Sequence, residues 1–246
     1  MADEFDQGRY AYVTLLSTTD YLDAVLVLNK SLQRVNSKYP LLVMVVDTIF
    51  TPEMENCFRQ HGIYSTTVSP LEYCQEVQDE YRDTTPTVLN TASKIQLFTL
   101  KNWDKLVYID ADVLVIQNMD ELFDYEDGSM IKYPEESFGF TGLFVLCPRR
   151  HHEDEFYPTI MKYHKCVDGD LIGKLWFFVH DSPCHQIPPC YLSHYIPHSD
   201  FKDVKAIHYC NQLKPWIHTD HEIFNQDNYV CWLYKKYLSE VQNTHN

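Results

Sequence analysis

A short apolar strand that ends in two aspartates constrains the fold of this chain more than any other segment. Leu106 to Ile109 is a continuous apolar run, Asp110 and Asp112 follow it, and apolar residues resume at Val113. Such a run predicts a strand of a parallel sheet that is covered on both faces. Ligands bind at the carboxyl ends of the strands in these sheets. Two adjacent carboxylates there are hard ligands, suited to Mg²⁺ or Mn²⁺ together with phosphate oxygens.

The segments around this strand alternate between strand and helix patterns, which predicts an α/β chain with a mostly parallel sheet flanked by helices. Apolar and β-branched runs predict strands at 9–16, 41–46, 63–68, 106–109, 130–133, 138–146 and 205–209. Helical spacing predicts helices at 22–32, from Thr51 onward, at 91–100, 151–166 and 224–241. A short helix or turn is expected at 118–124, and a long structured loop at 181–203. We expect a single domain over residues 1–246. Its nucleotide-binding part is expected at about 9–116, its acceptor and sugar part at about 117–220, and a terminal helix at 224–241.

The composition argues against two classes of partner. The chain has 246 residues and a net charge of −15, from 35 acidic and 20 basic side chains, which disfavours a nucleic-acid binder. No secretory signal is visible, and no apolar run approaches the about 18 residues of a membrane span. We therefore expect a cytoplasmic protein without a membrane partner. The eight cysteines include no C-x-x-C pair, which favours reduced thiols, with a disulfide near Cys184 and Cys190 as the alternative.

The aspartate pair alone is a weak signal. A second Asp-x-Asp occurs at residues 168–170, and strand-end carboxylates also cap turns without binding anything. Phosphatases of the haloacid-dehalogenase type place the same pattern after an apolar strand. They require threonine or valine two positions after the second aspartate, where this chain has Leu114, and they carry the motif near the N-terminus.

Four separated blocks, in the same order, resemble the glycogenin and galactinol synthase family, the retaining glycosyltransferases of family 8. They are Ala11–Tyr21, the Asp-Ala-Asp at 110–112, Thr141–Pro148, and Ala206–Trp216 with its Lys-Pro-Trp. The resemblance implies a Rossmann-like nucleotide-sugar fold of the GT-A type. It also implies metal-dependent transfer of a hexose from a UDP-sugar to a glycan or a protein tyrosine. Glucose is the first candidate for this hexose.

The resemblance assigns roles to individual residues. Asp110, Asp112 and His208 would bind Mn²⁺, with Mg²⁺ as the alternative, and the ion would neutralise the departing UDP. Lys214 would contact the diphosphate. We also expect that Asp112→Ala abolishes turnover and leaves the fold intact, because a strand-end carboxylate contributes little to a core. The other nucleotide-sugar contacts fall on Leu15, Ser17, Thr18, Tyr21, Arg82, Lys94, Ala111, Thr141 and Asn211.

The residues expected around the sugar depart from the family pattern. Asp170 matches the aspartate below the reacting carbon, as nucleophile or stabilising charge, and Lys94 is expected against the donor sugar and phosphate. The family's Asp-Gly-Gly-Asp-Gln is Asp168-Gly169-Asp170-Leu171 here, its asparagine is Phe140 and its late glycine is Asn211. We expect the first two changes to affect the sugar and acceptor rather than the metal. They leave open a UDP-galactose or UDP-N-acetylglucosamine donor, or a sugar-nucleotide-binding scaffold with weak turnover.

The resemblance carries two further expectations about partners. Glycogenin glucosylates its own tyrosine, and Tyr195 lies in the loop that roughly corresponds to its acceptor region. Self-glucosylation at Tyr195 is therefore a hypothesis. Members of the family often form dimers, so the resemblance leaves a homodimer as one possible assembly, although no surface patch in the sequence indicates it.

Overall fold

A seven-stranded sheet lies at the centre of the structure. The computed structural model describes residues 9–71, 91–131, 140–148, 185–195, 202–210, 214–218 and 229–243. Its strands are β1 Tyr10–Leu16, β2 Leu41–Val46, β3 Tyr64–Val68, β4 Lys105–Ile109, β5 Val113–Val115, β6 Met130–Ile131, β7 Phe140–Leu146, β8 Gln186–Ile187, β9 Ser193–His194 and β10 Ala206–His208. The large sheet has the order β3-β2-β1-β4-β7-β6-β8, and β5-β10-β9 form a second, smaller sheet.

The large sheet is mostly parallel, as predicted. β1 pairs in parallel with β2 and with β4, and β2 pairs in parallel with β3. Of the described strands in this sheet, β7 alone runs the other way, since it is antiparallel to both β4 and β6. Every residue of β2 is buried, and so is every residue of β4 after Lys105, which explains their continuous apolar sequence.

The direction of the strand order reverses between β1 and β4. The chain proceeds from β1 to β2 and β3 on one side, and then returns to place β4 on the other side of β1. Ligands of open α/β sheets bind at such a switch point, outside the carboxyl ends of the two strands. Ser17 follows β1 and Asp110 follows β4 at this point, so the topology brings the predicted binding segments to one edge.

The described α-helices are α1 Leu22–Arg34, α2 Pro52–Gln60 and α3 Tyr229–Gln242. The first two agree with the predicted helix at 22–32 and the predicted start at Thr51. Helix α3 agrees with the predicted terminal helix at 224–241 and ends one residue beyond it. Residues 224–228 of that prediction, like the predicted helix at 151–166, are outside the described residues. No helix in the described part of the chain is long and apolar enough to cross a membrane.

The segment predicted as a helix at 91–100 is a 3-10 helix, Thr91–Thr99. Its polar side chains bond backbone groups, which competes with regular α-helical bonding. Ser93 Oγ accepts from Leu71 N at 2.9 Å, and Thr99 Oγ1 donates to Gln96 O at 2.6 Å. The segment covers the second face of the sheet, where Ile95, Leu97 and Phe98 join the core.

Helices α1 and α3 cover the opposite face of the sheet. They are joined at the surface by Glu240, whose Oε2 lies 3.0 Å from Lys30 Nζ and 2.7 Å from Arg34 Nη2. Alternation along β1 divides its side chains between the two faces, with Tyr12 and Leu16 in the α1 core and Ala11 and Val13 in the other. Both faces of the sheet are therefore covered, as the apolar strands require.

The smaller sheet places β10, which belongs to the sequence block that begins at Ala206, beside the two aspartates. In β10, which is antiparallel to β5 and parallel to β9, His208 is opposite Val113 on one side and next to His194 on the other. The segment predicted as a loop at 181–203 is more regular than expected, because its described part includes β8, β9 and a 3-10 turn at Pro189–Tyr191.

The helix start at Thr51 gives a local test of this fold. Thr51 Oγ1 accepts a hydrogen bond from Met54 N at 3.2 Å and so caps α2, with Pro52 in the first turn. We expect Thr51→Ala to lower the free energy of unfolding by about 1 kcal/mol, measured by urea denaturation. Thr51→Ser keeps the capping oxygen and should change it little. Equal destabilisation by both variants would assign the effect to the lost methyl group instead.

Candidate functional site

The two aspartates lie where β4 ends, between β7 and β10. Asp110 N donates to Gly142 O at 3.0 Å, and Asp112 O accepts from Tyr209 N at 2.9 Å. These backbone bonds fix the short turn that presents both carboxylates. The Asp112 side chain is buried, with 11% of it exposed, and that of Asp110 is 21% exposed. The predicted placement of the pair at a strand end is confirmed.

His208 completes a set of three potential metal ligands. Its Nε2 lies 3.0 Å from Asp112 Oδ1 and 3.6 Å from Asp110 Oδ2. One ligand atom from each of the three residues falls within 4.8 Å of the others. Two carboxylates and one imidazole at this spacing fit a divalent ion such as Mn²⁺. The predicted grouping of these residues is therefore present in the structure.

Lys94 reaches Asp110 from the 3-10 helix. Its Nζ lies 3.0 Å from Asp110 Oδ1 and 3.5 Å from Thr141 O, and it sits 4.7 Å from the centroid of the Tyr108 ring. The Tyr108 hydroxyl donates to the same carboxylate oxygen at 2.9 Å. Lys94 is 4% exposed, so it faces the site rather than solvent.

Lys214 occupies the corresponding position on Asp112. Its Nζ donates to Asp112 Oδ2 and to Tyr209 O, both at 2.6 Å. The same ammonium lies 5.6 Å from the Tyr21 ring centroid and 5.7 Å from that of Trp216. Each carboxylate therefore has a buried lysine of its own, and aromatic rings help to stabilise the second one.

The charges of the site shift each other's pKa values. Burial alone would raise the pKa of Asp112, but the positive charges of His208 and Lys214 hold it well below its usual range. Burial would likewise lower the pKa of His208 and of Lys214, and the Asp112 carboxylate raises both instead. Asp112 is therefore ionised at neutral pH, as a metal ligand must be.

Residues of the first and fourth sequence blocks, Ala11–Tyr21 and Ala206–Trp216, are in contact beside Lys214. Trp216 Nε1 donates to Asp20 O at 2.8 Å, and the Tyr21 and Trp216 rings pack edge to face with centroids 5.0 Å apart. Leu15 and Ser17 are buried at the end of β1. Thr18 precedes the turn that carries Tyr21. These residues line the switch point, where the predicted base and ribose contacts would occur.

The segment Phe140–Gly142 forms the wall next to Asp110. A Cβ on Gly142 would meet the Phe140 ring and lie 2.9 Å from Asp110 Oδ2, so the close approach requires glycine. The Phe140 ring centroid is 5.7 Å from that of His208 and 5.5 Å from that of His194. Phe140 therefore packs against a metal-ligand candidate, while its expected effect on the sugar and acceptor stays a prediction.

Sequence reasoning missed two members of the site. Tyr108 bonds Asp110, and His194 lies with its ring 5.6 Å from that of His208. Tyr108 precedes the aspartate by two positions on a strand, and that spacing is the signal that could have placed it on the same side. No comparable sequence pattern indicates that β9 pairs with β10 and so places His194 next to His208.

Several predicted residues cannot be placed, and one hypothesis is contradicted. Arg82, Asp170 and Asn211 lie outside the described residues. Ala111 is buried between the two aspartates. Tyr195 is 3% exposed, and its hydroxyl lies 3.0 Å from Cys231 Sγ in the core. An acceptor hydroxyl must be accessible to the donor, so the structure argues against self-glucosylation at Tyr195.

Comparison with known proteins identifies the family. Residues 12–164, more than half of the chain, match the sequence model of glycosyl transferase family 8. The chain belongs to glycosyl transferase family 8. The family 8 match begins in β1 and includes both aspartates, although His208 and Lys214 lie beyond it.

Curated relatives of this family 8 chain include galactinol synthases over most of its length. It is 32% identical to galactinol synthase 1 of Solanum lycopersicum, over 99% of this chain and 85% of the relative. It is 33% identical to galactinol synthase 3 of Arabidopsis thaliana, over 89% of this chain and 77% of the relative. Galactinol synthase 7 of Arabidopsis thaliana is 26% identical, over 96% and 82%.

Solved structures support the GT-A type fold. The galactosyltransferase LgtC, in complex with donor and acceptor sugar analogues, aligns with a TM-score of 0.64 at 16% identity. The alignment covers 94% of this chain and 95% of LgtC. The glycosyltransferase GlyE of Streptococcus pneumoniae aligns with a TM-score of 0.62 at 13% identity, over 96% of this chain and 62% of GlyE. The predicted fold class is confirmed.

Proposed function

We propose that this chain is a metal-dependent, retaining hexosyltransferase that uses a UDP-sugar. The observation that carries the proposal is the convergence of Asp110, Asp112 and His208 within 4.8 Å, with Lys214 on the same carboxylate, at the switch point of the sheet. The first two residues follow β4, and the others come from a block about a hundred residues later. A cap for a turn needs neither the imidazole nor the lysine.

The three ligand candidates would hold Mn²⁺, or Mg²⁺ in its place. A bound ion supplies a Lewis acid that neutralises charge on the departing diphosphate. In the structure, Lys94 and Lys214 neutralise the two carboxylates. With the carboxylates engaged by an ion, both ammonium groups become free to bind phosphate oxygens. The ion and a diphosphate would therefore bind together more favourably than either alone.

The other predicted contact residues are proposed to orient the donor. Tyr21 is proposed to stack on the uracil, with Leu15, Ser17 and Thr18 near the base and ribose. Arg82, Ala111, Thr141 and Asn211 are proposed as further contacts to the nucleotide sugar. Asp170 is proposed below the reacting carbon as nucleophile or stabilising charge. The division of the chain into a nucleotide-binding part and an acceptor part, and its assembly as a homodimer, stay predictions.

The proposed donors differ in the sugar that is attached to UDP. The sequence pattern places UDP-glucose first, with UDP-galactose and UDP-N-acetylglucosamine as alternatives. The names of the similar proteins, galactinol synthases and a galactosyltransferase, favour UDP-galactose. The acceptor is proposed to be a glycan or a protein tyrosine other than Tyr195, whose hydroxyl is buried.

A donor panel tests the proposal. UDP release is measured with UDP-glucose, UDP-galactose and UDP-N-acetylglucosamine, each with and without Mn²⁺. We expect Mn²⁺-dependent release with one of them, and the anomeric configuration of the product, determined by NMR, should match that of the donor. Absence of release with every donor, together with tight UDP binding, would favour the sugar-nucleotide-binding scaffold. Release that ignores the metal would contradict the role given to Asp110, Asp112 and His208.

A further inference from the structure

A second set of potential metal ligands adjoins the carboxylate site. It consists of His194, His208 and Cys210, which we call the imidazole–thiol cluster. One ligand atom from each residue lies within 4.8 Å of the others. The parallel pairing of β9 with β10 places His194 next to His208, with ring centroids 5.6 Å apart. Cys210 follows two positions later, just beyond the end of β10.

The donor chemistry of this cluster differs from that of the aspartates. Two imidazoles and a thiol form a nitrogen and sulfur set, which suits Zn²⁺, Co²⁺ and Cd²⁺. Asp110, Asp112 and His208 offer mainly oxygen and suit Mn²⁺ or Mg²⁺. The two sets share one residue, His208, and differ in which ions they favour.

The state of His208 gives independent support for a second ligand. Its Nε2 faces the two aspartates, whereas its Nδ1 is buried without a hydrogen-bond partner among the described residues. The residue is 4% exposed. A buried ring nitrogen without a partner is costly, and metal-binding histidines normally have both nitrogens engaged. The described structure therefore leaves His208 with unused binding capacity beside a thiol and a second imidazole.

The cluster is also open to solvent on one side. Cys210 is exposed and His194 is half-buried, while His208 lies behind them. The exposed thiol is therefore accessible to an ion in solution. A dication held there would lie close to an ion on the aspartates and to the Lys214 ammonium, so mutual repulsion disfavours simultaneous occupancy.

We propose that His194, His208 and Cys210 bind a thiophilic divalent ion, with Zn²⁺ as the ion expected in a cell, and that this ion antagonises the Mn²⁺ of the transfer reaction. Binding at the cluster stands on its own geometry. The antagonism rests on the proposed transferase function. The consequence is that Zn²⁺ inhibits the enzyme at a site distinct from, but sharing one ligand with, the catalytic metal site.

Spectroscopy of the full chain tests the binding site without any activity measurement. Titration with Co²⁺ or Cd²⁺ is expected to produce a thiolate-to-metal charge-transfer band in the ultraviolet. Cys210→Ser should abolish the band, and His194→Ala should weaken the affinity by at least about tenfold, since even outer-shell partners of a metal contribute that much. Cys190→Ser, which removes another exposed thiol, is the matched control and should leave the band unchanged. A band of unchanged affinity in Cys210→Ser would overturn the site.

Inhibition kinetics test the antagonism. At a fixed Mn²⁺ concentration, Zn²⁺ should inhibit the wild-type enzyme, and Cys210→Ser should require at least about tenfold more Zn²⁺. The Mn²⁺ dependence of both enzymes should be the same. Equal inhibition of the two would overturn the antagonism, because Zn²⁺ would then act at the aspartates. If no UDP-sugar supports turnover, the proposed function fails, and the charge-transfer band still decides whether the cluster binds metal.

Discussion

Asp112→Ala is expected to abolish transfer and also to destabilise the fold. Asp112 is a metal ligand candidate and the partner of two buried groups, the His208 imidazole and the Lys214 ammonium. Its removal takes away one of three ligands, so Mn²⁺ affinity should fall at least about a hundredfold. It also leaves the Lys214 ammonium without its carboxylate, which costs on the order of 3–5 kcal/mol when a buried pair is broken. The sequence alone suggests an intact fold for this variant, and the buried ion pairs are the reason to expect otherwise.

Three measurements separate these effects. UDP release reports turnover, Mn²⁺ titration reports metal affinity, and thermal unfolding reports stability. Asp47→Ala is the matched control, because Asp47 also follows a central strand, β2, but is exposed. It should leave all three measurements near those of the wild type. Undiminished Mn²⁺ affinity in Asp112→Ala would rule out the proposed metal site, and an unchanged melting temperature would show that the Lys214 ammonium finds another partner.

Lys214→Met is expected to separate catalysis from metal binding. If Lys214 binds the diphosphate of the donor as its charge leaves, its loss should lower kcat by about 10²- to 10³-fold, as for other electrostatic stabilisers. Mn²⁺ binding to the free protein should not weaken, and should strengthen, because Lys214 competes with the ion for Asp112 in the absence of substrate. The raised pKa of Lys214, caused by Asp112 against the opposing effect of burial, keeps it charged at neutral pH.

The Mn²⁺ affinity of Lys214→Met, compared between the free and the UDP-bound protein, decides the role of Lys214. Mn²⁺ affinity is measured without nucleotide and again with UDP present, together with kcat and KM. Lys202→Met removes an exposed lysine and serves as the control. A parallel loss of metal affinity and turnover would mean that Lys214 merely holds Asp112 in position. A loss confined to the UDP-bound state and to kcat is the result that the phosphate role requires.

The sheet and its carboxylates could be predicted because their signal is local. An apolar run, buried on both faces, is sufficient to mark β4, and the aspartates must then emerge at its end. The partners of the aspartates are indicated by a distant sequence motif instead. His208 and Lys214 lie about a hundred residues from the aspartates, and only the ordered resemblance to a family connects them.

Lys94 and Tyr195 show where local patterns fail. A lysine on an amphipathic segment is expected in solvent, but Asp110 and the Tyr108 ring make a buried position favourable for Lys94. Tyr195 directly follows His194, and neighbouring residues of an extended segment point to opposite sides. His194 therefore faces His208, while Tyr195 packs against Tyr209 and Cys231. Neither outcome depends on the residue type alone.

The large sequence separation of the contacts made by Trp216 and Lys214 implies that the site forms late in folding. The Trp216–Asp20 contact joins residues 196 positions apart, and the Lys214–Asp112 bond spans 102 positions. Contacts of such high sequence separation close large loops and form late. During synthesis from the N-terminus, β1 to β4 can pair before residues 206–218 have left the ribosome. Until then, Asp112 has neither its histidine nor its lysine, so metal affinity should appear only when residues 206–218 dock.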